Sequence, residues 1–152
     1  MAASSFTKPT IVWVPGLLHT PAHYQPMISS LAKVSIPSLA ISLPNIGPGA
    51  ATAAPYDDVK AVRVKLHELV AEGKEVIVLS HSYGGVPACQ AIRGLERSKR
   101  VEGGQLGGVI RIIFLAAFAM PEGMSSLEYA GGQLPPPWAK KDVSGPIQGL
   151  TL

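Results

Sequence analysis

The chain has 152 residues, 47% of them hydrophobic and 15% charged, with a formal net charge of +3 and a mean hydropathy of +0.26. That length and apolar content fit one domain with a real core and exclude a disordered chain, and the basic residues are too scattered for a nucleic-acid surface. The single cysteine, Cys89, excludes an internal disulfide framework and a multi-cysteine metal site; no apolar run approaches the ~18 residues of a membrane span, and the polar N-terminus lacks a signal-peptide stretch, so a soluble, cytoplasmic protein is expected.

Four apolar runs come in chain order: Thr10 to Val14, Leu39 to Leu43, Glu75 to Leu79 and Val109 to Ala119. The first and third are continuously apolar, the habit of strands covered on both faces of a parallel sheet. A helix is predicted from His23 to Lys33. Another begins near Asp57, carries Val59, Val62, Leu66, Leu69 and Val70 on one stripe, and stops at Gly73. A third is predicted from Gly84 to about Leu95, where Cys89 falls on the apolar stripe as a small core residue. The basic cluster Arg93, Arg97, Lys99 and Arg100 reads as a solvated helix end. The glycine-rich stretch 103–108 reads as a flexible surface loop. Alternating strands and helices give an α/β doubly wound, mostly parallel sheet in a single domain spanning 1–152, with flexible tails at 1–8 and 139–152.

The segment Val76-Ile-Val-Leu-Ser-His-Ser-Tyr-Gly-Gly85 carries the chemistry. A buried strand runs into Ser80-His81-Ser82-Tyr83-Gly84 and a helix follows, the context of a nucleophile elbow of the G-x-S-x-G type. The turn is tight, so the residues two before and two after the nucleophile must be small. Ser80 and Gly84 meet that demand, and Gly85 lets the helix approach the strand. The simpler alternative is that Ser82 merely caps the helix. In acyl transfer the developing oxyanion needs two fixed donors. The N–H of Tyr83 follows the nucleophile, and the N–H of Leu17 follows the Pro15-Gly16 turn at the end of the first strand.

The stretches IVWVPGLLHTPAHYQPMISSL, ISLPNIG, VIVLSHSYGG and IIFLAAFAMPEGMS, in this order and spacing, resemble the N-terminal half of an α/β-hydrolase, most closely its small esterase, methylesterase and hydroxynitrile-lyase branch. The resemblance implies a truncated α/β-hydrolase fold lacking the C-terminal strands. It also implies Ser82 as nucleophile, Leu17 and Tyr83 amides as the oxyanion hole, and His19 as a structural or pocket residue. It implies neither a metal nor an organic cofactor. The expected partner is a small apolar ester, with self-association through an exposed sheet edge.

A serine needs a histidine to take its proton and a carboxylate to orient that histidine, and in this superfamily both follow the nucleophile. The histidines are His19, His23, His67 and His81, and none follows Ser82. His81 is adjacent in sequence but is expected to point elsewhere, and His67 reads as a surface residue of its helix. Glu122, Glu128 and Asp142 are the carboxylates past the last strand. Trp13 and Trp138 read as packing residues, and Tyr24, Tyr56 and Tyr83 as candidates for a pocket rim. Met120, Met124 and Leu127 are expected to begin a lid. Three readings follow: an esterase acting through an acyl-Ser82, a non-catalytic hydrolase-like binding module, and a hydroxynitrile-lyase-like enzyme.

Overall fold

A computed structural model describes residues 8–46 and 50–121, together with 123, 124, 128 and 131. Its strands are β1 (Thr10–Val14), β2 (Ser38–Ala40), β3 (Glu75–His81) and β4 (Gly108–Leu115). All pair in parallel, in the spatial order β2-β1-β3-β4. Between them lie α1 (Gln25–Lys33), preceded by a 3-10 turn at Pro21–Tyr24, then α2 (Pro55–Ala71), α3 (Gly85–Ala91) and α4 (Arg97–Glu102).

The core forms where the branched side chains of the central strands meet the apolar stripe of α2. Val12 and Val14 of β1 and Val76 and Val78 of β3 are fully buried against Val59, Val62, Leu66, Leu69 and Val70 of α2, with Ala88 and Ala91 of α3 completing the cluster. Local chemistry sets the limits of α2. Pro55 occupies its first turn, and Asp57 Oδ2 reaches back to accept the Ala54 N–H at 2.7 Å. At the other end Gly73 takes φ 79°, while Lys74 N–H donates to the Leu69 carbonyl and Gly73 N–H to that of Val70, the paired bonds of a Schellman stop.

The opposite face is covered less. Trp13 alternates to that side and stacks against Tyr24 with ring centroids 5.4 Å apart, which places the 3-10 turn there. Yet α1 buries none of its residues, and Ile77 and Leu79 stay half-buried. Continuous apolar runs predicted strands covered on both faces; among the described residues only one face is fully covered.

From β1 the chain moves to β2 on one side, and from β3 it moves to β4 on the other. The carboxyl ends of neighbouring β1 and β3 therefore flank a topological switch point, where open α/β sheets bind ligands. Ser82 and the Pro15-Gly16 turn both lie at this edge.

Several expectations are corrected. Ile41 and Leu43 belong to the core cluster but lie outside β2, having left the sheet while staying buried. The third helix stops at Ala91; a turn through Gly94, with φ 79°, brings buried Leu95 back to the core. Leu95 extends the apolar stripe without extending the helix. Arg97, Lys99 and Arg100 of the basic cluster lie in α4, and Arg100 is half-buried rather than fully solvated: its guanidinium donates to the carbonyls of Val70, Leu106 and Gly107, capping α2. Gly107 and Gly108 are buried, not part of a flexible loop; a Cβ at Gly107 would lie 2.7 Å from Gly73 C and Lys74 O. Cys89 is half-buried, and burial pushes its thiol up from the ordinary value. The outer edge of β4 has no neighbouring strand among the described residues, and Ile113, Phe114 and Leu115 are exposed there. No described helix is long and apolar enough to cross a membrane, and no described cluster of His, Cys, Asp or Glu could hold a metal ion. Residues 1–7 of the first expected tail, all of the second (139–152), and Glu122, Leu127, Trp138 and Asp142 lie outside the described residues.

Candidate active site

Ser82 follows the last residue of β3 and opens a single 3-10 turn, Ser82–Gly84, that leads into α3. Its φ is 50°, a left-handed conformation that a serine holds only when its surroundings enforce it. Those surroundings are backbone. A Cβ on Gly84 would lie 2.2 Å from the Val14 carbonyl oxygen and 2.6 Å from that of Pro15. One on Gly85 would lie 2.1 Å from the Phe118 oxygen. No side chain fits at either position, so the requirement for small residues has a direct steric cause. Ser80 is fully buried behind the turn, and its hydroxyl donates to the Ile113 carbonyl at 3.1 Å.

The loop after β1 lies against this elbow. A Cβ on Gly16 would sit 3.0 Å from Ser82 Cβ and 3.1 Å from His81 Nδ1. The loop is a tight turn from Gly16 to His19, closed by His19 N–H donating to the Gly16 carbonyl at 3.1 Å, with Leu18 held at φ 65°. In a planar trans peptide N–H and C=O point opposite ways, so the Leu17 N–H faces away from this turn. Ala116, just past β4, has φ 45°. The segments that follow three adjacent strands thus each hold a left-handed non-glycine residue at the same sheet edge.

Side chains lock both halves in place. Tyr24, buried, accepts the Gly16 N–H on its phenol oxygen at 3.2 Å, and the same oxygen is 2.9 Å from His81 Nδ1. His19 Nδ1 is 2.8 Å from the Leu17 carbonyl, which can only accept, so this nitrogen carries the proton. The His19 and His81 rings meet edge to face with centroids 5.0 Å apart. Burial, with His19 beside it, holds His81 below the ordinary histidine range. Behind the elbow, Tyr83 O–H donates to Asp58 Oδ2 at 2.9 Å. Asp58 is fully buried, and it also accepts the Asn45 N–H at 3.0 Å and the Asn45 side-chain amide at 3.2 Å. Burial and this carboxylate push the Tyr83 phenol far above its ordinary value.

The sequence-derived residues Ser82, Tyr83, Gly84, Gly85, Gly16, Leu17, His19, Ser80 and His81 therefore meet at one edge. The side chain of Tyr83 is a correction: it points back to Asp58 rather than rimming a pocket. Tyr56 is exposed on α2, Met124 is exposed, and His67 is exposed on α2. Sequence reasoning missed Asp58 and Phe118, whose N–H donates to the Ser82 carbonyl at 3.1 Å. Asp58 resembles any acidic residue near a helix start, and only its position among the apolar positions of α2 hinted at burial. Open clefts of about 490 Å³ (lined by His67, Glu72 and Arg100) and about 680 Å³ (lined by Lys8, Thr10 and Lys74) lie at the opposite edge, far from Ser82.

A family model described as the alpha/beta hydrolase family matches residues 11–149. The chain belongs to the α/β-hydrolase family. An "Alpha/beta hydrolase nvfD" of Aspergillus novofumigatus (strain IBT 16806) is 36% identical over 129 residues, 85% of this chain and 49% of the relative. A "Probable hydrolase R7" of Phoma sp. (strain ATCC 20986 / MF5453) is 33% identical over 131 residues, 84% of this chain and 50% of the relative. This α/β-hydrolase chain spans about half the length of the curated relatives it matches. Among solved structures, tomato methylketone synthase I complexed with 2-tridecanone superposes with a TM-score of 0.63 at 17% identity, covering 84% of this chain and 48% of that one. An extracellular α/β-hydrolase from a Paenibacillus species, described as sharing structural and functional homology with tobacco salicylic acid binding protein 2, gives 0.57 at 21% identity, covering 77% and 44%. At these identities the structures establish the fold, and this chain covers somewhat less than half of each.

Proposed function

We propose that this chain carries the nucleophile and oxyanion half of a serine acyl-transfer site for small, apolar carboxylic esters. The supporting observation is Ser82 at φ 50°, held at the carboxyl end of β3 with the Gly16 backbone against its Cβ. Ser82 Oγ attacks the ester carbonyl carbon, and the Leu17 and Tyr83 amides hold the negative oxygen of the tetrahedral intermediate. Collapse expels the alcohol, which takes up a proton, and leaves an acyl-Ser82 ester that water hydrolyses. The Ser82 proton passes to a general base. In the superfamily order that base follows the acid, which follows the nucleophile, whereas all four histidines of this chain precede Ser82. We therefore assign the base to none of them. The solved methylketone synthase relative, holding a long-chain ketone, fits an apolar carbonyl substrate.

The test is fluorophosphonate labelling of the purified chain, read by intact mass beside Ser82→Ala and followed by turnover of a p-nitrophenyl ester. A single adduct that disappears in Ser82→Ala supports the reading. A folded chain that takes no adduct overturns it and favours the second reading, a non-catalytic hydrolase-like binding module, for which the placement of the histidines speaks. Cleavage of a cyanohydrin, with no ester turnover, would instead identify a lyase on the same scaffold.

A further inference from the structure

We propose that Tyr24 is a positioning residue that clamps the oxyanion loop to the nucleophile elbow and fixes His81 as the Nε2–H tautomer. The proposal rests on the acyl-transfer reading of Ser82. The Gly16 N–H can only donate, so the Tyr24 oxygen accepts it at 3.2 Å. The one phenolic proton then needs an acceptor in a buried place, and the partner at hand is His81 Nδ1, 2.9 Å away. A phenol that donates there requires an unprotonated Nδ1, which puts the imidazole proton on Nε2. Burial raises the Tyr24 phenol above its ordinary value and holds His81 below its own, so both partners stay neutral near pH 7.

The consequence is mechanical. Gly16 precedes Leu17, whose N–H is the proposed oxyanion donor, and His81 precedes Ser82, the proposed nucleophile. One hydroxyl thus ties together the residues immediately before the two reacting groups, which come from strands paired through Val14 and Ser80. The ring itself is held separately, by stacking on Trp13 at 5.4 Å. Removing the hydroxyl therefore leaves the packing intact while freeing the loop. His19 contributes on the same side: its Nδ1–H is bonded to the Leu17 carbonyl, which adds a second tie to the same loop.

The experiment compares the full chain with Tyr24→Phe in two independent ways. Two-bond proton–nitrogen NMR correlations report the His81 tautomer without requiring any activity. The wild type is expected to show a bare Nδ1 and a protonated Nε2. Tyr24→Phe is expected to lose this preference and to exchange its Gly16 amide at least about tenfold faster. A wild-type His81 protonated on Nδ1, or a Tyr24→Phe chain with unchanged tautomer and Gly16 exchange, overturns the proposal. The second arm is the rate of Ser82 labelling by a fluorophosphonate, expected to fall about tenfold in Tyr24→Phe through misplacement of the loop. Equal labelling rates also overturn it. A wild type that shows the expected tautomer but takes no label counts against the acyl-transfer reading alone, because the clamp is read without it.

Discussion

The two edges of the sheet solve the same problem, turning a chain sharply between strand and helix, in opposite ways. At the amino edge the left-handed positions are filled mainly by glycine: Gly73, Gly94, Gly104, Gly107 and Gly108 all have positive φ, with Ser35 after α1 as an exception. That edge is tied by exposed ion pairs such as Lys74–Glu72 and Arg97–Glu75, and by Arg100 capping α2. At the carboxyl edge Leu18, Ser82 and Ala116 hold left-handed conformations with side chains attached, while Gly16 and Gly84 are reserved for places where backbones nearly touch. Strain of this kind costs about 1–2 kcal/mol per residue and persists only when surrounding contacts enforce it. One edge is built for turning cheaply, the other for holding particular groups in particular directions.

The largest effect that sharpens this contrast is expected from glycine replacement at each edge. Gly84→Ala forces a methyl group into the Val14 and Pro15 carbonyls, neither of which can yield without moving β1, and should cost about 3 kcal/mol or more in urea unfolding. Gly104→Ala meets nothing within 4 Å and bears only the strain of its φ of 71°, so a loss of about 1 kcal/mol is expected. Equal losses would break the comparison.

Tyr83→Phe comes next. It removes the phenol's hydrogen bond to buried Asp58, leaving those from Asn45, and should cost about 1–2 kcal/mol by the same measurement. A neutral result would mean that water serves Asp58 in place of the phenol.

Relief of strain should act with the opposite sign. Leu18→Gly gives φ 65° to a residue that accepts it and removes a side chain already 42% exposed, so a gain of up to about 1 kcal/mol is expected. If fluorophosphonate labelling of Ser82 slows in the same variant, the strain at Leu18 serves the loop's geometry.

The smallest effect is pH-dependent. Because burial and His19 depress the folded-state pKa of His81, the unfolded chain takes up a proton as pH drops through about 6.5 before the folded chain does. Its contribution is intact above that pH and shrinks below it. Stability measured from pH 7.5 down to pH 5 should therefore fall less steeply in His81→Gln than in the wild type; an identical slope would show that His81 protonates freely in the folded chain.

What could be read from the sequence divides along the same physical lines. The strands were legible because Val12, Val14, Val76 and Val78 must be buried, and β-branched runs ended by Pro, Gly or Ser have few other uses. The elbow was legible because a serine between small residues, after such a run, satisfies a local steric rule. Boundaries failed where burial occurs outside regular structure: Ile41, Leu43 and Leu95 look like strand or helix residues because they are in the core. The short helix α4 gave no apolar stripe, since it buries none of its residues, and only its basic cluster hinted at a helix end. The locks around the site were also invisible. Tyr24 and His81 are 57 positions apart and Tyr83 and Asp58 are 25 apart, and only the sheet order brings each pair together.

That order also governs how the chain is made. Among the described strands the central β1 comes first in the chain, but its second neighbour is β3, so Thr10 waits for Val76. At ribosomal speeds of roughly 5–20 residues per second, the interval is several seconds, during which one side of β1 has no partner. A nascent chain thus carries an open apolar strand edge until β3 is made, and the sequence distance between Thr10 and Val76 sets the length of that interval.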